Sequence, residues 1–155
     1  MEIIDFVKRF AEHPGVKALY RVWSDDTVRA VHLQGLSASS APMLFGALVA
    51  GDTPWPVPVA LFVLNDLEEA GYFYHDLTQM LGESKVLFFP SSYKRAIKYG
   101  QKDSANEVLR TEVLTRIVEE TSSPLYIVTY PDALAELVVS QTTLTDRSQI
   151  GRAHV

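Results

Sequence analysis

Two short apolar runs constrain the fold of this chain more than any other feature of its sequence. They read VALFVL at residues 59–64 and LYIVTY at residues 125–130. Runs of this length and character are typical of strands in a parallel sheet whose two faces are both covered by helices. The first run is apolar throughout, and it is therefore predicted to lie centrally in such a sheet.

Two further strand candidates and the helical patterns between them complete an alternating succession. TVRAVHLQG contains a predicted strand over residues 28–33, and KVLFFP at residues 85–90 is another. Apolar residues at helical spacing predict helices over residues 3–10, 16–23, 42–50, 66–81, 104–117 and 133–139. Right-handed crossovers turn this order of elements into an α/β fold, a parallel sheet with helices on both faces.

Polar residues are predicted to begin three of these helices. The fourth helix begins at Asn65 or Asp66, and Asp132 caps the last one. Ser104 and Glu107 form a capping box at the start of the fifth. The residues of the fifth helix that are predicted to face the core are Val108, Leu109, Val113 and Ile117.

The composition limits the class of protein. The 155 residues are 47% hydrophobic, which suits one globular domain. The absence of cysteine excludes disulfides, thiolate nucleophiles and cysteine-bound metals, and it fits a reducing compartment. A net charge of −5 offers no general attraction for nucleic acid or anionic membranes. The N-terminus does not resemble a signal peptide and no run is long enough to span a membrane, so a cytoplasmic protein without membrane contacts is predicted.

The loop GLSASSAP at residues 35–42 lies between a predicted strand and a predicted helix, where P-loop proteins bind phosphate. A P-loop reads G-x-x-x-x-G-K-[ST], and counting from Gly35 its last three positions are Ser40, Ala41 and Pro42. These replacements remove the second glycine, the ammonium group and the magnesium-binding hydroxyl. The loop is therefore predicted to bind no nucleotide, and no cofactor is expected.

Two structural interpretations of this loop remain open. It is either a polar strand-to-helix loop with a serine cap, or a P-loop that has kept its packing and lost its nucleotide. Pro42 suits the first interpretation, because proline is well tolerated in the first turn of a helix.

Ser37 supports a third interpretation, a serine hydrolase. Gly35 to Ser39 differ from the nucleophile elbow G-x-S-x-G only at Ser39. A triad also needs a later acid and histidine, and the later histidines are His75, within a predicted helix, and His154, near the end of the chain.

Other candidate residues indicate little chemistry. The four histidines are far apart and show no metal-ligand spacing, so no metal site is predicted. A basic stretch with interleaved tyrosines is compatible with phosphates and stacked bases. A solvated loop is favoured over a phosphate site, and at most weak phosphate contacts are expected. Its basic residues are Lys94, Arg95, Lys98 and Lys102.

Five segments of the chain resemble a known family when they are taken in order. They are GLSASSAPMLFGALV, VALFVLNDLEEAGYFYHDL, KVLFFPSSY, SANEVLRTEVLTRI and PLYIVTYPDALAELVV. Together they resemble the N-terminal region of the bacterial transcription-repair coupling factor family, Mfd, over roughly residues 15–145. The order of the degenerate loop, the strand ending in Asn-Asp, the Leu-Glu-Glu-Ala helix and the strand ending in Phe-Pro makes the resemblance specific.

The resemblance implies a fold and a role. The N-terminal module of that family is similar to UvrB, and its first domain is RecA-like, P-loop NTPase-like in fold, without a working ATP site. Residues 1–140 are thus expected to form a non-enzymatic RecA-like domain. The parent protein would be an ATP-dependent DNA translocase that removes stalled RNA polymerase and recruits nucleotide excision repair. The expected partners are other domains of the parent and, through the parent, UvrA, RNA polymerase and DNA.

The C-terminal residues are expected to lie outside this domain. Residues 141–146 are predicted to begin the link to a following domain, and residues 147–155 to be a disordered or vector-derived tail. UvrB has a long tyrosine-rich insertion where this chain has only SSYKRAIKYGQKD, so DNA clamping at damage is not expected. The alternative functions are a stand-alone α/β anion-binding protein and a serine hydrolase using Ser37.

Overall fold

The computed structural model describes residues 3–51, 59–93, 103–119 and 123–138, and in these ranges helices alternate with parallel strands. The helices are α1 (Ile3–Ala11), α2 (Pro14–Trp23), α3 (Ser40–Ala50), α4 (Leu67–Leu81), α5 (Ser104–Val118) and α6 (Pro131–Leu134). The strands are β1 (Val59–Val63), β2 (Val86–Phe88) and β3 (Leu125–Thr129). In the described ranges, no helix has the length and apolar character that a membrane span requires.

The three strands form one parallel sheet in the order β1-β3-β2. Ala60 lies opposite Tyr126, and Phe88 lies opposite Val128. All five residues of β3 are buried, because β3 has a strand on each side and helices above and below. The predicted α/β class with a parallel sheet is confirmed.

Helices α3 and α4 pack on one face of the sheet. The Phe45 ring of α3 meets Phe62 and Tyr126 edge-on, at centroid distances of 4.6 and 5.2 Å. Tyr74 of α4 packs against Phe88 at 5.3 Å. Aromatic pairs in this geometry add to the stabilisation that burial alone provides. These contacts bury the face of the sheet that carries Phe62, Phe88 and Tyr126.

Helix α5 covers the opposite face. Its buried Val113 belongs to the same core cluster as the strands, and its Arg110 stacks on Phe89, which points away from α4. A β2-α5-β3 crossover runs back across the sheet, and a right-handed connection then requires α5 to lie on the face that α4 does not use.

A second apolar cluster joins α1 and α2 to the outer side of α3 and α4. It includes Val7 of α1, Leu19 of α2, Leu48 of α3 and Met80 of α4. Gly46 allows the close approach of α3 to α4, because a Cβ at this position would lie 3.0 Å from the Met80 Sδ.

The predicted strand over residues 28–33 is wrong. All of these residues are exposed and none is in a strand. In an extended chain, Val28 and Ala30 share a face with His32, whereas Val31 and Leu33 share the other with Arg29. Each face therefore contains a cationic or titratable group, and neither can be buried as an apolar surface.

The central position predicted for β1 is also wrong. β3 lies between β1 and β2, and no strand in the described ranges pairs with the outer edge of β1. Val59, Leu61 and Val63 are about half exposed, whereas Ala60 and Phe62 point into the core. An uninterrupted apolar run indicates burial on both faces, but here it forms an edge strand with only one covered face.

The helix caps differ in part from those predicted. Asp66 caps α4 as expected, with its Oδ1 accepting the Glu69 N–H at 2.9 Å. Asp103 caps α5 in place of Ser104, because its carboxylate accepts the Ala105 N–H at 3.0 Å. The cap was therefore predicted one residue too late.

The last helix is shorter than predicted and begins earlier. Its N-cap is Tyr130, so Asp132 lies inside the first turn rather than at the cap. The helix ends at Leu134 instead of residue 139, and the following Glu136 turns back towards the loop after β2. This turn brings a carboxylate to the carboxyl end of the sheet.

Candidate functional site

In open α/β sheets, ligands bind beyond the carboxyl ends of the strands. Among the described residues, the loop after β2, helix α5 and the residues after α6 form a polar cluster in this position. Ser91, Ser92 and Arg110 surround the carboxylate of Glu136 there, and we refer to these four residues as the carboxylate cradle. The degenerate loop 35–42 is a separate feature at the start of α3.

The loop 35–42 closes on itself through its own polar groups. Gly35 has φ +82°, and Ala38 also has a positive φ of 47°. The Ser40 Oγ accepts the Ser37 N–H at 2.6 Å, and the Ser40 N–H donates to the Ser37 carbonyl at 3.0 Å. A phosphate loop works by directing several backbone N–H groups at its anion. In this loop the backbone N–H groups of Ser37 and Ser40 instead form hydrogen bonds within the loop.

The remaining degenerate positions support packing. Pro42 is fully buried in the first turn of α3, and Ala41 packs against the core. Ser39 is the N-cap residue but makes no side-chain capping bond. The expected serine cap is therefore absent at Ser39, and the Ser40 hydroxyl closes the turn instead.

Ser37 lacks the setting that a nucleophile elbow requires. The elbow holds its serine on a sharp turn directly after a strand. Ser37 follows the exposed residues 28–33, which form no strand, and is itself exposed. His75, the later histidine within the described residues, lies in α4.

Hydrogen bonds from the loop after β2 converge on Glu136. The Ser91 hydroxyl donates to Oε1, and the Ser92 hydroxyl donates to Oε2 at 2.7 Å. The Ser92 N–H is 3.0 Å from both carboxylate oxygens. Both oxygens of the carboxylate are thus hydrogen-bonded by one serine pair.

Arg110 supplies the positive charge of the cradle and is 6% exposed. Its Nη1 donates to the Pro90 carbonyl at 2.8 Å and to the Ala133 carbonyl at 3.0 Å, and lies 3.6 Å from Oε2 of Glu136. The guanidinium carbon lies 4.1 Å from the centre of the Phe89 ring. Arg110 therefore connects α5, the loop after β2 and α6 below the bound carboxylate.

A further set of bonds holds the backbone of the two serines. The Ser91 N–H donates to the Tyr130 hydroxyl at 2.8 Å, and the Asn106 amide donates to the Ser91 carbonyl at 2.8 Å. The Asp103 N–H donates to the Ser92 carbonyl at 2.7 Å. The loop after β2 is thus positioned by contacts that do not involve Glu136.

The Glu136 carboxylate is ionised in this setting. Partial burial opposes ionisation and by itself raises the pKa of Glu136. The hydrogen bonds from Ser91 and Ser92 and the charge of Arg110 outweigh burial, so the pKa lies below its ordinary value. Elsewhere in the core, burial raises the pKa of Tyr126, whose hydroxyl has no partner among the described residues.

The carboxylate cradle was not predicted from the sequence. Of the residues predicted to face inward on α5, Val113 is buried but Val108 and Ile117 are 66% and 48% exposed. The buried stripe instead passes through Arg110, one turn before Val113 and Leu114. The feature of the sequence that could have indicated the cradle is Arg110, which has the same helical spacing as the apolar residues of α5 that face the core. Glu136 gave none, because it lay inside a predicted helix.

The other predicted features yield no additional site. Lys94, Arg95, Lys98 and Lys102 lie outside the described residues, as do residues 141–155. Among the described residues, no three histidine, aspartate or glutamate side chains are grouped so that they could hold a metal ion.

Fold and site together define an α/β protein with a small parallel sheet whose polar cluster is occupied by one of its own carboxylates. Compared with protein-family models, with curated proteins and with solved structures, the chain matches none of them.

Proposed function

We propose that the chain is the first, RecA-like domain in the N-terminal region of a transcription-repair coupling factor. In this proposal the domain is not an enzyme, and it acts in the cytoplasm as a structural part of a DNA translocase. The parent removes stalled RNA polymerase and recruits nucleotide excision repair through UvrA. The observation that carries the proposal is the loop 35–42, which leads into a core helix as a phosphate loop does but lacks the groups that bind phosphate.

The order of elements also supports the proposal. Four of the five resembling segments coincide with β1-α4, β2, α5 and β3-α6, and the fifth coincides with the loop and α3. A RecA-like domain needs this alternation, because each helix connects two parallel strands. The alternation of α4 and α5 with the three strands therefore supports the proposal.

Strand-specific repair tests the proposed function in the organism that encodes the chain. Coupling factors act where polymerase has stalled, so deletion of the gene is expected to abolish the faster repair of transcribed strands after ultraviolet damage. Repair of the non-transcribed strand serves as the internal control. If the transcribed strand still recovers faster after deletion, the proposal is wrong.

Titration with Mg-ATP tests the inert nucleotide site. No measurable heat is expected, because Ala41 has no ammonium group and Pro42 has neither hydroxyl nor N–H. Saturable binding that is lost when Ser37 and Ser40 are both changed to proline would show that the loop still binds nucleotide.

The basic stretch is expected to have no specific DNA role. Duplex and single-stranded DNA should bind weakly and with strong salt dependence. Tight binding at physiological salt would overturn this, provided that it disappears in the variant with alanine at Lys94, Arg95, Lys98 and Lys102.

A further inference from the structure

We propose that the donors of the carboxylate cradle form a binding site for a small oxyanion, either phosphate or a carboxylate group, and that Glu136 fills this site as an internal ligand. The proposal does not depend on the function proposed above. It assigns the site to the carboxyl ends of β2 and β3, far along the chain from the degenerate loop 35–42.

The donors are held in place without help from Glu136. Tyr130 and Asn106 hold the backbone of Ser91, and the Asp103 N–H holds the Ser92 carbonyl. Arg110 is held by two backbone carbonyls and by the Phe89 ring. A site whose donors are fixed by other contacts is preorganised, so an anion that enters it does not have to order them.

The occupant is attached to a part of the chain that makes few contacts. Helix α6 ends at Leu134, and Glu136 lies two residues beyond it. The next residues, Leu137 and Val138, are 99% and 54% exposed. Among the described residues after α6, Glu136 is the one whose side chain is bonded to the rest of the domain. In the proposed site, displacement of this segment takes the carboxylate away from its donors.

The cradle also contains a donor that Glu136 does not use. The Nη2 atom of Arg110 is buried and has no hydrogen-bond partner among the described residues. Arginine commonly binds carboxylates and phosphates through both terminal nitrogens. A free anion can take positions that the carboxylate of Glu136 cannot, because Glu136 is restricted by its own backbone.

The experiment uses the Glu136→Ala variant of the whole chain with inorganic phosphate or acetate, in parallel with chloride at equal ionic strength. Thermal unfolding and calorimetry are the measurements. Phosphate or acetate is expected to raise the thermal unfolding midpoint of Glu136→Ala until the site is saturated. The dissociation constant of the anion is expected to be on the order of 1 mM. The unfolding midpoint of the wild-type chain should be the same in phosphate, acetate and chloride, because Glu136 already occupies the site. A larger response to phosphate indicates a phosphate ligand, and a larger response to acetate indicates a carboxylate group.

Two control variants separate a specific site from general charge effects. Glu112→Ala removes an exposed carboxylate on α5 and should behave like the wild type. Adding Ser92→Ala to Glu136→Ala should weaken anion binding about tenfold, because one hydroxyl donor is lost. If Glu136→Ala does not fold alone, phosphate or acetate should restore its folded spectrum when chloride does not. The proposal is overturned if neither anion protects Glu136→Ala more than chloride does.

Discussion

Replacing Arg110 with methionine tests how strongly the cluster at the end of the sheet holds the domain together. Methionine keeps much of the side-chain volume and can still contact the Phe89 ring. The change removes the two hydrogen bonds to the Pro90 and Ala133 carbonyls and the cation near Glu136. Helix α5 therefore loses the polar contacts that Arg110 makes with the loop after β2 and with α6, while the packing changes little.

The expected cost follows from the burial of these groups. A hydrogen bond to a charged group contributes about 1.5–3 kcal/mol, and two such bonds are lost. The side chains of Arg110 and Glu136 are only 8% and 12% exposed, so solvent screening reduces this little. Removing one member of a buried ion pair typically costs about 3–5 kcal/mol. We expect a loss in this range, a large part of the roughly 5–15 kcal/mol that stabilises a typical domain.

Urea unfolding of the whole chain, followed by circular dichroism, measures the change. Arg116→Met is the matched control, because Arg116 lies on the same helix but, within the described residues, makes one hydrogen bond, to the Ser84 carbonyl, at a more exposed site. It should cost about 1 kcal/mol or less. The reasoning is refuted if Arg110→Met costs no more than Arg116→Met while the urea dependence stays unchanged.

Three further changes have expected outcomes. Because folding lowers the pKa of Glu136, its contribution to stability is present above the ordinary value of 4.5 and is lost as pH falls towards the lower folded value. Glu136→Gln should therefore flatten the acid limb of a stability-pH curve, and an unchanged limb would contradict this. Changing Ser40, Ala41 and Pro42 to glycine, lysine and threonine should give no ATP turnover in a phosphate-release assay. The three changes supply neither an acidic residue to bind magnesium nor a group to orient the attacking water. Hydrolysis well above background would mean that the loop is a recently silenced active site. Phe45→Ala should cost about 3–5 kcal/mol in urea unfolding, and a loss below about 1 kcal/mol would disprove its place in the core.

The local pattern of the sequence predicted the three segments that form the sheet and one segment that does not, but not the order of the strands. β1, β2 and β3 all lie inside predicted strands, because each contains a short apolar run. The order β1-β3-β2 depends on pairing between residues far apart in the chain, and no local pattern encodes it. The segment 28–33 has the apolar content of a strand, but Arg29 and His32 leave neither of its two faces apolar throughout.

The polar cluster was missed for a related reason. Arg110 interrupts an apolar stripe, and the predicted inward face of α5 was centred on Leu109 and Val113 instead. Glu136 meets Ser91 and Ser92 across more than forty positions of sequence. Such a contact becomes visible only when the carboxyl ends of two neighbouring strands are brought together.

The position of β3 also determines when the sheet can form during synthesis of the chain. β1 and β2 do not pair with each other, and each pairs with β3. β3 begins at Leu125 and is the last of the three strands along the chain, so both earlier strands remain unpaired until β3 has been made. Chains emerge from the ribosome N-terminus first, and helices packed by local contacts form sooner than distant strand pairs. A nascent chain that does not yet include β3 can therefore pack α1 to α4 against one another but has no sheet.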